Sequence, residues 1–248
     1  MRTRGFPTGL GKPLSLFGDD APLKAHPLYR RAKAGGAEAA AVLVMDLARP
    51  LAEQARADFA PGTVYVAPHA LEASGDNAIP QALAEAVANA AAGEADLDIV
   101  QTTRVFHTGA DPMERLNNRA EFDGTVRQAA DYVLVDDVTT MGGTLAELAH
   151  YILSNGGRVA GAVVLVNASR TGILVPDHRV VAKLESRHGP TIREVFGIES
   201  AALSADEARY LLGFRSADEI RNRSAKAKQE TDKRLRTKGI HGVGGEAG

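Results

Sequence analysis

Asp136 and Asp137 stand side by side at the end of an apolar run, Tyr132–Val135. After Val138 the chain continues Thr139-Thr140-Met141-Gly142-Gly143-Thr144. Two adjacent carboxylates can accept hydrogen bonds from a pair of sugar hydroxyls or flank a bound cation. A loop of glycines and threonines lets backbone N–H groups approach an anion closely and adds hydroxyl donors. The acids would repel a phosphate that they faced directly. A phosphorylated sugar satisfies both halves, with its hydroxyls on the aspartates and its phosphate in the loop.

Elements on either side must hold these groups in place. Tyr132–Val135 is wholly apolar and rich in β-branched residues, the mark of a buried strand. Leu145, Leu148, Ala149 and Ile152 recur at helical spacing, and Asn155-Gly156-Gly157 ends that helix. Strand, loop and helix N-terminus in this order place free N–H groups and the positive end of a helix dipole at the loop. The plainer alternative is a generic α/β strand–turn–helix with acidic residues at its turn.

The segment resembles the phosphoribosyl diphosphate (PRPP) motif of type I phosphoribosyltransferases: an apolar strand, two acids, then a Thr/Gly loop. The resemblance implies that Asp136 and Asp137 hold the ribose 2′- and 3′-hydroxyls. It further implies that Thr139 leads into a 5′-phosphate loop made by Thr140, Met141, Gly142, Gly143 and Thr144. Met141 stands where the family normally has a small hydroxylated residue. The flanking segments look most like the ComF-like, competence-associated branch. Thr63–Ala67 reads as a strand, followed by a loop ending in Gly75-Asp76-Asn77, where that branch has Gly-x-Asn before a helix. The branch carries arginines in this loop, and here His69, Glu72 and Asp76 stand instead, so a pyrophosphate would rest on backbone N–H groups, Ser74, His69 and a metal ion. A polar turn without a ligand is the alternative. In residues 102–123, Glu114-Arg115, Asn117-Asn118 and Phe122 resemble the branch's hood. Arg104, His107, Arg115 and Arg119 could reach a diphosphate through guanidinium forks or an imidazole. The hood is read as a lid; its alternative is a solvated helix over Met113–Ala120, with its arginines paired to Glu114 and Glu121.

The resemblance implies an α/β fold with a mainly parallel sheet of the type I phosphoribosyltransferase kind, extended by helices at both ends. Residues 1–62 form an N-terminal arm and helical extension, 63–189 the core, and 190–248 a C-terminal helical extension with a disordered tail. Residues 1–27, rich in Gly and Pro, read as irregular. Leu28–Ala34 and Ala37–Phe59 read as helical, with Pro50 as a break. This extra part is read as covering one face of the sheet or forming a homo-oligomer contact. Further strands are expected at Asp98–Gln101 and Val159–Val166, with a helix from about Ile79 to Ala91 between the first strand and the second. The loop Asn167–Pro176 offers Arg170 and Thr171 as surface residues or acceptor contacts. From Pro190 the chain changes character, and capping boxes at Ser204/Glu207 and Ser216/Glu219 predict helices near 204–212 and 216–233. The last helix carries Arg221, Arg223, Lys226, Lys228 and Lys233 among acids. It reads as a solvated appendage, ahead of an oligomer arm or a weak nucleic-acid contact.

With 248 residues, 44% of them hydrophobic, the chain can bury one good core. Without cysteine there is neither a disulfide framework nor thiolate-bound zinc, and a net charge of −2 gives no overall nucleic-acid field. No apolar run follows Met1-Arg-Thr-Arg to make a secretion signal, and Ala39–Met45 is far below the roughly 20 residues that cross a bilayer. A cytoplasmic protein without membrane partners is expected. The activity implied by the resemblance is transfer of a 5-phosphoribosyl group between PRPP-Mg²⁺ and a nucleobase or amine acceptor, or the reverse from a nucleoside monophosphate. Mg²⁺ would be held mainly by PRPP, with Asp136 and Asp137 as its nearest protein oxygens. The rival reading is a non-catalytic PRPP or nucleotide sensor acting through a partner, with a link to DNA handling as a weaker variant.

Overall fold

The computed structural model describes residues 1–69, 71–72, 75–103 and 110–237, with backbone alone at 71–72, 75–76 and 234–237. The chain opens with strand β1 (Leu14–Phe17) and helices α1 (Ala21–Ala25), α2 (Tyr29–Lys33), α3 (Ala37–Leu47) and α4 (Arg49–Asp58). Strand β2 (Val64–Val66) leads through the short pair β3 (Leu71–Glu72) and β4 (Gly75–Asp76) to α5 (Ile79–Ala90). Strands β5 (Glu94–Asp96) and β6 (Val100–Gln101), helix α6 (Pro112–Asn117) and strand β7 (Phe122–Asp123) follow. The central unit is β8 (Asp131–Thr139), α7 (Gly143–Ser154) and β9 (Arg158–Asn167). Helices α8 (His178–Phe196), α9 (Ala205–Leu212) and α10 (Ala217–Thr237) complete the described chain.

β1, β9, β8, β2 and β5 form one five-stranded sheet in that order, with every neighbouring pair parallel. The fold is therefore α/β with a parallel sheet, as expected. Alternation along β8 sorts its side chains between two cores. Val133 and Val135 join Leu43, Leu51 and Leu83 under the N-terminal helices and α5. Tyr132 and Leu134 pack with Leu145, Leu148 and Ile152 of α7. A third cluster joins α8, α9 and α10 to Met113 and Leu116 of α6.

Three local readings are corrected. The arm read as irregular contains β1, which pairs with β9 and forms one edge of the sheet. Four half-buried residues between Gly/Pro-rich flanks give too short a pattern to stand out. The strand expected at Asp98–Gln101 divides into two elements. Glu94–Asp96 takes the other sheet edge beside β2, while Val100–Gln101 pairs antiparallel with β7. A short charged edge such as Glu94-Ala-Asp96 protects against further pairing and so lacks a strand's apolar signature. α8 runs without interruption through Pro190, from which the chain was read as changing character. Buried Leu184, His188, Ile192 and Phe196 recur every four residues along that helix, and their packing outweighs the lost backbone bond. Finally, β8 extends past both aspartates to Thr139.

Candidate functional site

The parity of β8 explains why its two acids differ. Asp137 follows Val133 and Val135 onto the face of the N-terminal helices, where Lys33 of α2 and Asn77, just before α5, await it. Lys33 Nζ lies 2.9 Å from Asp137 Oδ2, and Asn77 Nδ2 donates to the same oxygen at 3.1 Å. The Val138 N–H donates to Asp137 Oδ1 at 2.9 Å, so both oxygens of this buried carboxylate are engaged. Asp136 lies on the other side, where its Oδ1 accepts the Asp137 N–H at 2.8 Å. Burial, reinforced by the neighbouring charge of Asp137, pushes the Asp136 carboxyl well above the usual carboxylate range.

Beyond Thr139 the chain turns into α7 through Gly142, whose φ of +74° suits glycine. A Cβ on Gly143 would stand 3.0 Å from Glu207 Oε1, so the loop lies close against α9. Ser204 Oγ, at the α9 cap, donates to the Met141 carbonyl. The Met141 side chain packs against the cluster of α8, α9 and α10. A thioether at this position therefore joins the loop to the C-terminal helices, where a small hydroxylated residue could not. The first N–H groups of α7 have no partner within the helix and open toward the loop.

These elements enclose one cleft of about 390 Å³, lined by Asp136, Asp137 and the whole segment Thr139–Thr144. The hood reaches it through Arg115, whose Nη1–H donates to Thr140 Oγ1 at 2.6 Å and whose Nε–H donates to the Ala110 carbonyl at 3.1 Å. Burial lowers the pKa of Arg115, but from so high a starting point the guanidinium stays charged. Thr139 is 3% exposed, and its Oγ1 has no hydrogen-bond partner among the described residues.

The other candidates are placed as follows. Arg119 lines the cleft but donates from Nη1 to Glu147 Oε1 of α7 at 2.8 Å, not to Glu114 or Glu121. Pro68 lines the cleft, whereas the side chain of His69 is exposed and outside its lining. Ser74, Arg104 and His107 lie outside the described residues. The backbone N–H groups of Arg170 and Thr171 donate to Asp206, and neither residue lines the cleft. Among the described residues no group of three or more His, Cys, Asp or Glu could hold a metal ion.

The hood helix, in the segment read as a lid, packs against the C-terminal helices. Met113 and Leu116 are buried in the C-terminal cluster. Ser224 Oγ donates to Asn117 Oδ1 at 2.8 Å, Thr231 Oγ1 donates to Glu114 Oε1 at 2.9 Å, and Arg223 pairs with Asp111. The expectation of a solvated appendage therefore holds for the outer face of α10 alone. Two contributions escaped the sequence reading altogether. Lys24, Tyr29 and Lys33 reach the cleft from the N-terminal helices, and Glu207 reaches it from α9. A lone lysine in a helical arm carries no signal of its destination. The Ser204/Glu207 capping box did mark a helix start, but not the loop against which it packs.

Fold and cleft define a parallel α/β protein with two acids and a glycine turn at the carboxyl end of a central strand. Comparison with known proteins places it as follows. No family model matches the chain. It is 37% identical over 226 residues to protein TraN of Escherichia coli, covering 88% of this chain and 50% of that protein. It is 38% identical over 130 residues to an uncharacterized protein of Haemophilus influenzae, covering 52% of this chain and 29% of that protein. The chain thus spans half or less of the length of these curated relatives. Among solved structures it is similar to adenine phosphoribosyltransferase from Leishmania tarentolae, with 13% identity, a TM-score of 0.37 and coverage of 65% of this chain and 94% of that one. It is also similar to Leishmania donovani UMP synthase, with 15% identity, a TM-score of 0.31 and coverage of 74% and 35%. Scores of this size carry no argument about function. Among the described residues no helix is long and apolar enough to cross a membrane.

Proposed function

We propose that the chain binds PRPP with Mg²⁺ and transfers the 5-phosphoribosyl group to or from a nucleobase or amine acceptor. The observation that carries this reading is the meeting, in one cleft, of the Asp136–Asp137 pair, the Thr139–Thr144 turn at the start of α7, and Arg115 on Thr140. The ribose hydroxyls would lie on the acids. The 5′-phosphate would accept from the loop N–H groups, Thr139 Oγ1 and Arg115, with the α7 dipole behind them. Asp137, paired with Lys33 and Asn77, would lie near the sugar carbon that becomes cationic as pyrophosphate leaves and would stabilise that charge. The anchored hood limits water at that carbon.

The protein oxygens suit a metal that arrives with its ligand. Asp137 already has both oxygens engaged, and no third ligand stands nearby among the described residues. Bound Mg²⁺ would neutralise the diphosphate, held by ligand oxygens and water beside Asp136. Pyrophosphate release from PRPP-Mg²⁺, assayed across nucleobases and simple amines, tests the reading. Release with one acceptor class, lost in Asp136→Asn with Asp137→Asn, supports it.

The packing of Met141 into the C-terminal cluster favours a second reading, a PRPP or nucleotide sensor that signals through those helices. Tight PRPP binding without turnover on any acceptor would select the sensor.

A further inference from the structure

The cleft is lined by cations from different parts of the chain. Arg115 of the hood touches Thr140 of the glycine turn. Lys33 shares an oxygen of Asp137 with Asn77, the residue that closes the loop after β2. Lys24, one helix earlier and paired with Asp20 at 2.6 Å, lines the same cleft. Asp136 and Asp137 line the same cleft. A ligand that meets both cations and the two acids carries two anionic groups and hydroxyls.

We infer that the N-terminal helices α1 and α2 form a second anion site, in which Lys33 and Lys24 bind the diphosphate end of a doubly phosphorylated sugar. This rests on the sugar-phosphate reading above and deepens it. The loop after β2 carries Glu72 and Asp76 and no arginine, so its own side chains bring no strong cation to a diphosphate. An ammonium on a flexible stem can leave Asp137 for a phosphate oxygen while staying near both. Lys33 is 24% exposed on its side chain, which leaves it open to the cleft, and Asn77 remains on Asp137 when Lys33 turns away. The extra N-terminal helices thereby acquire a role at the site beyond covering the sheet.

Calorimetric titration of the full chain with inorganic pyrophosphate, ribose 5-phosphate and PRPP, each with Mg²⁺, tests this. Lys33→Met should weaken pyrophosphate and PRPP about 10-fold to 100-fold, the range of one lost charge-assisted hydrogen bond, and ribose 5-phosphate at least about tenfold less than that. Lys33→Arg should restore most of the loss. Lys24→Met, at a side chain 55% exposed and therefore safe for folding, should weaken the same two ligands by a smaller factor. Equal losses for ribose 5-phosphate and PRPP would reduce Lys33 to a support of Asp137 and overturn the inference, as would absence of pyrophosphate binding by the unmodified chain. Pyrophosphate binding that depends on Lys33, without any ribose 5-phosphate binding, would retain the anion site and overturn the sugar reading instead.

Discussion

Replacing Thr231 by valine should loosen the candidate site from a distance. Thr231 lies on α10, is 7% exposed, and donates through Oγ1 to Glu114 Oε1 at 2.9 Å. Glu114 is 5% exposed and also accepts the Asp111 N–H at 2.8 Å, closing the capping box that starts the hood helix. Valine keeps the shape and removes one donor from a buried carboxylate. The loss is one charge-assisted hydrogen bond, about 1.5–3 kcal/mol. In a chain of this size that corresponds to a fall in Tm of about 3–12 °C. Urea unfolding followed by circular dichroism gives the free energy directly, and Thr231→Ser should recover most of it. Because Arg115 stands on the same short helix, hydrogen exchange at 112–117 should rise and PRPP affinity should fall with stability. A change under about 0.5 kcal/mol, the level of an ordinary surface substitution, would refute the claim that α10 fixes the hood.

Three further outcomes are expected. Asp136→Asn should raise Tm at neutral pH. The part-buried carboxyl ionises in the unfolded chain at lower pH than in the folded one, so native stability falls as pH rises from the ordinary carboxylate range through the raised value. The advantage of the variant should vanish below the ordinary range; a difference independent of pH would contradict this cause. Arg115→Met should weaken ribose 5-phosphate binding by about 10-fold to 100-fold, as expected for a lost charge-assisted contact to phosphate, and an unchanged affinity by calorimetry would remove Arg115 from the phosphate end. Met141→Thr should cost about 1 kcal/mol in urea unfolding, roughly half the burial value of a methionine side chain, since its thioether is only part-buried. The added hydroxyl should tighten PRPP binding by up to about two powers of ten. Weaker binding would show that the thioether itself sets the loop.

The central unit was legible because several local signals agree there: the apolar β-branched strand, the adjacent acids, the glycine turn and the helical spacing after it. The parallel α/β class was implied by the resemblance that this unit carries. What sequence reading missed is of another kind. The five-stranded sheet is completed by Leu14–Phe17 and Glu94–Asp96, edge strands too short or too charged to show a period. A buried stripe through Leu184, His188, Ile192 and Phe196 carries α8 across Pro190, a residue type that ordinarily interrupts a helix. The inequality of Asp136 and Asp137 depends on which face of β8 each takes and on what is packed there. Lys33 arrives from residues more than a hundred positions earlier, and Thr231 and Ser224 brace the hood from as far beyond it. Such contacts are tertiary facts, and no local pattern encodes them.

The most direct measurement of the central claim is calorimetric titration of PRPP-Mg²⁺ into the unmodified chain and into the double variant Asp136→Asn, Asp137→Asn, with folding of both checked by circular dichroism. Binding by the unmodified chain at one site, weakened by at least about 100-fold when both carboxylates become amides, is the predicted result. Equal binding by two folded proteins, or none by the unmodified chain, would contradict a ribose site at these acids.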